Sequence, residues 1–225
     1  MALIISDKYK YIFFHLPKNA GTTVANNLLG NEDYAFLKKL FIYTLKFFKN
    51  KNVAYNFYFS TINIPDKNFY QIGLKLFNSH SSVSKIQSIL EPEIFNSYYK
   101  FAVIRNPFDR FVSRFLYYKK IDKRMKHFEF KDFLEWDIKA DRIVNKQHQF
   151  LLNLNNEIGV NKIIKFENLQ DDFKSLSNLI GIKKNNLKHL NFTENTNYKK
   201  FYDEYTKEKV LRYSQKDLSY FDYTF

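Results

Sequence analysis

Three groups of residues have the types and spacing to handle an anion and move a proton. The first is Pro17-Lys18-Asn19-Ala20-Gly21-Thr22-Thr23, where a lysine, a glycine and two hydroxyls stand close together in the chain. The second is Arg105-Asn106-Pro107, followed at helical spacing by Arg110 and Ser113. The third is His80. A lysine is a compact charge that can neutralise a leaving oxygen, and an arginine can grip a phosphate with two parallel hydrogen bonds. A histidine titrates near neutrality and suits the work of a general base.

The elements around these residues place them at strand-to-helix corners. Lys10 to Leu16 is an apolar run of strand length that stops at Pro17, which cannot donate to a sheet ladder. Val24, Ala25, Leu28 and Leu29 share one helical face, so a helix is expected to begin near Thr22 or Thr23. Gly21 lies between, where a missing side chain lets the backbone curl closely and the first helical N–H groups lack internal partners. Such a corner is an anion cradle. It is not a Walker A loop, GxxxxGK[ST], because Lys18 precedes the glycine and there is no first glycine. By themselves the same residues also describe an ordinary corner with a surface lysine.

Ile72 to Phe77 reads as a second strand, ending at Asn78-Ser79-His80, and a helix follows with Val83, Ile86, Ile89 and Leu90 on its apolar face and Ser81 or Ser82 as N-cap. His80 therefore falls at a strand end, where α/β sheets hold ligands. Tyr99 to Ile104 is the strongest strand signal, and Pro107 fits the first turn of the helix after it. There Phe108, Phe111, Val112, Phe115 and Leu116 recur at helical spacing, with Asp109, Arg110, Ser113, Arg114 and Tyr117 on the remainder. Arg105 stands at the strand's carboxyl end, and Ser113 about two turns further along.

Elsewhere, Tyr34 to Phe48 has helical periodicity, and residues 49–70 read as an irregular excursion facing substrate. Short helices are expected around Phe130–Ile138, from Leu169 to a stop at Gly181, and over Glu204–Tyr213; Val160–Phe166 reads as a strand. Gln147, His148 and Gln149 stand where they could line an acceptor groove, and the basic run 119–127 is either a solvated face or a surface for an acidic glycan.

Composition bounds the class. The 225 residues suit one domain, 1–225, with no linker-rich stretch. The net charge of +13 points to an anionic partner or to a solvated basic surface. Absence of cysteine excludes disulfides and thiolate metal sites. No stretch approaches the roughly 20 apolar residues of a membrane span, and the N-terminus is charged too soon for a signal peptide, so a cytoplasmic setting is expected.

Pro17, Lys18, Ala20, Gly21, Thr22 and Thr23 fall on the pattern PKxxGT[ST], and Arg105, Pro107, Arg110 and Ser113 on RxPxxRxxS after an apolar strand. These resemble the 5'-phosphosulfate and 3'-phosphate motifs of sulfotransferases that use 3'-phosphoadenosine 5'-phosphosulfate (PAPS). Asn145 to Gln149, Lys165 to Leu169 and the pattern from Leu190-Asn191 to Phe221 are similar to further elements of the carbohydrate-modifying, Golgi-type branch.

The resemblance implies an α/β fold, a P-loop-NTPase-like three-layer sandwich with a central, mainly parallel sheet flanked by helices. It implies Lys18 as the cation on the leaving phosphate. Residues 19–23 (Asn19, Ala20, Gly21, Thr22, Thr23) would bind the 5'-phosphate, and Arg105 and Ser113 the 3'-phosphate. His80 matches a histidine that serves as base in uronyl-type relatives, while many relatives use a glutamate. His15 is expected to be a packed core histidine. The implied acceptor is a carbohydrate or glycan hydroxyl, the implied product adenosine 3',5'-bisphosphate, and no metal, nucleic acid or membrane span is expected. Asn19 departs from the usual Thr. Lacking an anchor, the chain is expected to be a bacterial or viral cytoplasmic enzyme. The alternatives are a P-loop-type kinase or NTPase and a non-enzymatic polyanion binder, which would bind with a steep salt dependence.

Overall fold

The structure is a computed structural model that describes residues 3–31, 74–77, 80–183, 186–187 and 197–225. The helix expected over Tyr34–Phe48, the excursion 49–70, the linker residues Asn78 and Ser79, and Leu190-Asn191 lie outside the described residues.

The described sheet has five strands, β1 (Leu3–Ser6), β2 (Tyr11–Phe14), β3 (Leu74–Phe77), β4 (Tyr99–Ile104) and β5 (Lys162–Lys165), in the order β3-β1-β2-β4-β5. β2–β4 and β4–β5 pair in parallel, while β1 is antiparallel to both β2 and β3. The sheet is therefore mixed, with two parallel and two antiparallel pairings, where a mainly parallel sheet was expected. β1, which the sequence reading did not anticipate, forms a hairpin with β2 through the turn at residues 7–10. It runs opposite to the other four.

This arrangement decides where the site lies. Phe77 of β3 and Phe14 of β2 both pair with Leu3, and Phe14 pairs with Ala102 of β4. The carboxyl ends of β2, β3 and β4 consequently open on the same edge of the sheet, as does that of β5, where Lys165 pairs with Ile104. Lys18, His80, Arg105 and Phe166 all follow those ends.

β2 and β4 are buried on both faces, which is why they read as continuous apolar runs. Alternate residues feed two cores. Leu3, Ile5, Ile12, Phe14, Ala102 and Ile104 pack on one side, and Ile4, Tyr11, Phe13, Phe101, Val103 and Ile164 on the other. The rings of Phe13 and Phe101 stack at 5.1 Å, an arrangement worth about 1 kcal/mol beyond area burial. The second face is covered by α1 (Gly21–Asn31) and α7 (Leu169–Leu179). α2 (Val83–Gln87), α3 (Pro92–Ser97), α6 (Gln147–Phe150) and α9 (Gln215–Phe221) contribute to the first. β5, a described edge strand reading KIIK, places lysines at its ends, which disfavours pairing with another chain.

α4 (Pro107–Ile121), α5 (Phe130–Lys139) and α8 (Glu204–Tyr213) enclose a third, aromatic-rich core with Phe108, Phe111, Phe115 and Phe133 at its centre. Two sequence expectations change here. The helix after His80 ends at Gln87, which leaves Ile89 exposed, and Pro92 starts a separate helix. Arg110, Ser113 and Arg114 are buried rather than decorating a surface, because α4 packs around nearly its whole girth near its N-terminus.

Candidate active site

The first corner begins where β2 ends at Phe14. Lys18 and Ala20 have φ of +67° and +56°, left-handed conformations that cost a non-glycine residue roughly 1–2 kcal/mol each. They flank Asn19 and turn the backbone into a concave nest of the kind that binds anions. Left-handed non-glycine residues cluster at ligand sites, where surrounding contacts hold the strain. α1 starts at Gly21, one residue before the expected boundary. Its first turn carries no acidic residue, so the positive helix end is uncompensated from within. The N–H of Val24 bonds the Ala20 carbonyl at 3.1 Å, and the N–H groups ahead of it stand outside the helical ladder. Thr22 is exposed and Thr23 buried.

Gly21 is required for a reason the sequence did not reveal. A Cβ there would sit 1.7 Å from Cδ2 and 1.9 Å from Nε2 of His15. The backbone can pass the imidazole only without a side chain.

The second corner follows β4. Asn106 caps α4 by accepting from the Phe108 N–H at 3.0 Å, and Pro107 occupies the first turn. Arg105 is set by three contacts. Its Nε donates to Asp109 at 2.7 Å, its Nη1 donates to the Lys18 carbonyl at 3.1 Å, and its guanidinium lies 4.1 Å over the Phe166 ring. Arg110 is committed to structure, donating to the carbonyls of Pro17 (3.1 Å) and Asn145 (3.1 Å) and to that of Val144. Arg114 is engaged by the buried Asp137 through Nε at 2.9 Å and Nη2 at 2.7 Å. Ser113 is buried on the same helix.

Lys18 meets no carboxylate among the described residues. Its Nζ lies 4.3 Å over the Tyr117 ring. Burial, with Arg105 and Arg114 nearby, pushes its pKa down to about 8. A partly buried ammonium facing further cations is a site that an anion would stabilise.

His80 emerges at the same edge. Its Nδ1 lies 2.7 Å from the His15 carbonyl oxygen, and the two imidazoles meet edge to face at 5.0 Å. A carbonyl only accepts, so Nδ1 carries the hydrogen and Nε2 holds the free lone pair. Burial, aided by the charges of Arg110 and Arg114, lowers the His80 pKa below the ordinary histidine value. The neutral ring therefore prevails at neutral pH. His15 itself is buried, as expected, and stacks on Phe13 at 5.9 Å.

Two side chains in this region matter in ways the sequence reading missed. Asn19 is completely buried; its Nδ2 donates to the Val103 carbonyl and to Gln147 Oε1, both at 2.8 Å, while its Oδ1 has no hydrogen-bond partner among the described residues. Gln147 is equally buried and brackets Arg105, accepting from its N–H at 3.0 Å and donating to its carbonyl at 2.8 Å. It does not line an acceptor groove. His148 is paired with Asp217 at 2.6 Å through Nδ1, and Asp217 also accepts the N–H groups of residues 147 and 148, both at 2.9 Å. The sequence hint of this network was the run of polar residues 145–149, of which 147–149 lie in α6 itself rather than preceding a helix.

Among the described residues no helix is long and apolar enough to cross a membrane. No solved structure matches the chain. It is 30% identical over 115 residues to an uncharacterised protein of Archaeoglobus fulgidus, an alignment spanning 51% of this chain and 94% of that one. A family model described as "Sulfotransferase family" matches residues 1–224, nearly the full length and both corners. The chain belongs to the sulfotransferase family.

Proposed function

We propose that the protein transfers a sulfuryl group from PAPS to a hydroxyl of a carbohydrate or glycan, and that residues 1–225 form one domain of the P-loop-like, three-layer kind. The observation that carries this reading is the meeting of two cationic corners on one sheet edge, joined by the 3.1 Å hydrogen bond from Arg105 to the Lys18 carbonyl. The donor set fits a doubly anionic nucleotide. One corner has Lys18, a strained backbone nest and two threonines, and the other has an arginine whose Nη2 is uncommitted among the described residues.

In this reading the N–H groups of Asn19, Ala20, Gly21, Thr22 and Thr23 and the two threonine hydroxyls hold the 5'-phosphate. Arg105 and the Ser113 hydroxyl hold the 3'-phosphate. PAPS, when bound, supplies the sulfuryl group on a phosphate leaving group, and metal is not needed for that chemistry. Lys18 places its ammonium against the charge that grows on the leaving oxygen. His80 accepts the acceptor's proton at Nε2, since Nδ1 is occupied by the His15 carbonyl. The same bond fixes the ring's orientation. Asp109 and Phe166 hold the Arg105 fork in place before any ligand arrives, which reduces the entropy lost on binding.

Calorimetry without added metal tests the reading, comparing adenosine 3',5'-bisphosphate with AMP and ATP. Preference for the bisphosphate, lost in Arg105→Ala, supports it. Equal affinity for all three, or an ATP preference that depends on magnesium, sinks it.

A further inference from the structure

Gln147 stands where the two corners meet, with no exposed surface. Its Oε1 accepts from Asn19 Nδ2 at 2.8 Å and from the Arg105 N–H at 3.0 Å, and its Nε2 donates to the Arg105 carbonyl at 2.8 Å. Its own N–H donates to Asp217 Oδ2 at 2.9 Å. The side-chain amide thus touches the loop after β2 and the loop after β4, and the backbone N–H of the same residue ties it to Asp217 on the C-terminal helix α9. Burying such a group costs several kcal/mol unless its bonds are made, and an apolar residue of similar volume would fill the same space without that demand. What the amide adds is geometry. Each of its bonds has a preferred length and direction, and together they tie the Asn19 side chain, next to Lys18, to the Arg105 backbone.

We propose that Gln147 is a positioning residue that sets the separation of the Lys18 and Arg105 corners, so that one ligand with two anionic groups is gripped at both ends. The proposal rests on the reading that these corners hold the 5'- and 3'-phosphates of one nucleotide. Once the first phosphate is bound, the second binds as an intramolecular event. Its advantage is large only when the spacing of the sites matches the span of the ligand. Losing Gln147 leaves each corner able to hold a single phosphate and removes the gain from holding both.

The test measures three affinities by calorimetry, for AMP, adenosine 3'-monophosphate and adenosine 3',5'-bisphosphate, in the wild type and in Gln147→Met. The expected result is a change within about twofold for each monophosphate and a loss of about tenfold for the bisphosphate, the scale of one or two lost hydrogen bonds. Unchanged bisphosphate affinity overturns the proposal. So does a proportional loss for all three nucleotides, which is what a merely structural role would give. A wild type without bisphosphate preference instead removes the cofactor reading, and the proposal falls with it; that outcome is visible before any variant is made. Should Gln147→Met show no cooperative melt, Asp217→Asn replaces it, because it loosens Gln147 from behind. Selective loss of the bisphosphate supports the proposal there too, and proportional loss overturns it.

Discussion

The side chain of Arg105 donates from Nη1 to the backbone carbonyl of Lys18 at 3.1 Å, so the cation of one corner is braced on the backbone of the other. The same guanidinium holds Asp109 with Nε and lies 4.1 Å over the Phe166 ring. Arg105 is therefore part of the frame as well as a candidate ligand for phosphate. A planar fork can do both at once because its donors point in different directions.

Arg105→Lys should not be conservative. An ammonium cannot reach Asp109, the Lys18 carbonyl and a ligand together, and it cannot stack as a plane on Phe166. We expect about tenfold weaker binding of adenosine 3',5'-bisphosphate, with AMP affected less than about threefold, measured by calorimetry. Equal loss for both nucleotides would show that the arginine matters only as a brace.

The pH profile of kcat/KM should be bell-shaped. His80 must be neutral to accept a proton, and its pKa is lowered, so activity rises through a limb below about 6.5, the ordinary histidine value. Lys18 must be charged, and its pKa is lowered to about 8, so activity falls as pH rises through that value. His80→Asn should remove the acid limb and lower kcat by about 10²–10⁴-fold while leaving nucleotide affinity in place. A retained acid limb would assign the base to another residue.

Lys18→Met should separate function from stability. Transfer should fall by at least about 10²-fold, since the leaving oxygen loses its cation. The ligand-free protein should melt higher than the wild type at pH 7. The sign follows from linkage: the folded pKa of Lys18 is below its unfolded value, so the unfolded chain binds more protons between about 8 and 10.5. The penalty of holding the ammonium is present in full below about 8 and disappears as pH rises towards 10.5. The difference in melting temperature should shrink over that window, and scanning calorimetry at several pH values checks it. A variant that melts lower at pH 7 would mean that the cation–π contact with Tyr117 outweighs desolvation.

The parts legible in the sequence were those written in local pattern. β4 and α8 have the expected limits, and α4 starts at Pro107, because apolar periodicity, proline and caps are all short-range signals. The two corners were legible because each is a contiguous run. β1 was missed although Leu3-Ile4-Ile5 is apolar: four residues before a turn carry little periodicity, and their strand state depends on pairing with β2 and β3. Gln147 and Asp217 were not legible as a pair. Their bond joins residues 70 apart, and nothing in either stretch names the other. Burial of Arg110 and Arg114 is likewise a tertiary fact, fixed by the carbonyls of Pro17 and Asn145 and by Asp137.

Gly21→Ala tests whether the loop glycine serves flexibility or close approach. The φ of Gly21 is not positive, and the residue opens a helix, where alanine is ordinarily favoured by roughly 0.5–1 kcal/mol. If conformational freedom were the issue, the substitution would be neutral or stabilising. The structure puts the new Cβ inside the His15 ring, at 1.7 Å from Cδ2, and overpacking of that kind costs about 1–3 kcal/mol or more. The clash outweighs the propensity, so the variant should be destabilised in chemical denaturation. Combining it with His15→Ala should recover most of that loss, since the opposing ring is gone. Because the His15 carbonyl holds His80 Nδ1, a displaced residue 15 should also lower kcat in the single variant. A stable Gly21→Ala protein with normal turnover would contradict the packing of His15 against this helix start.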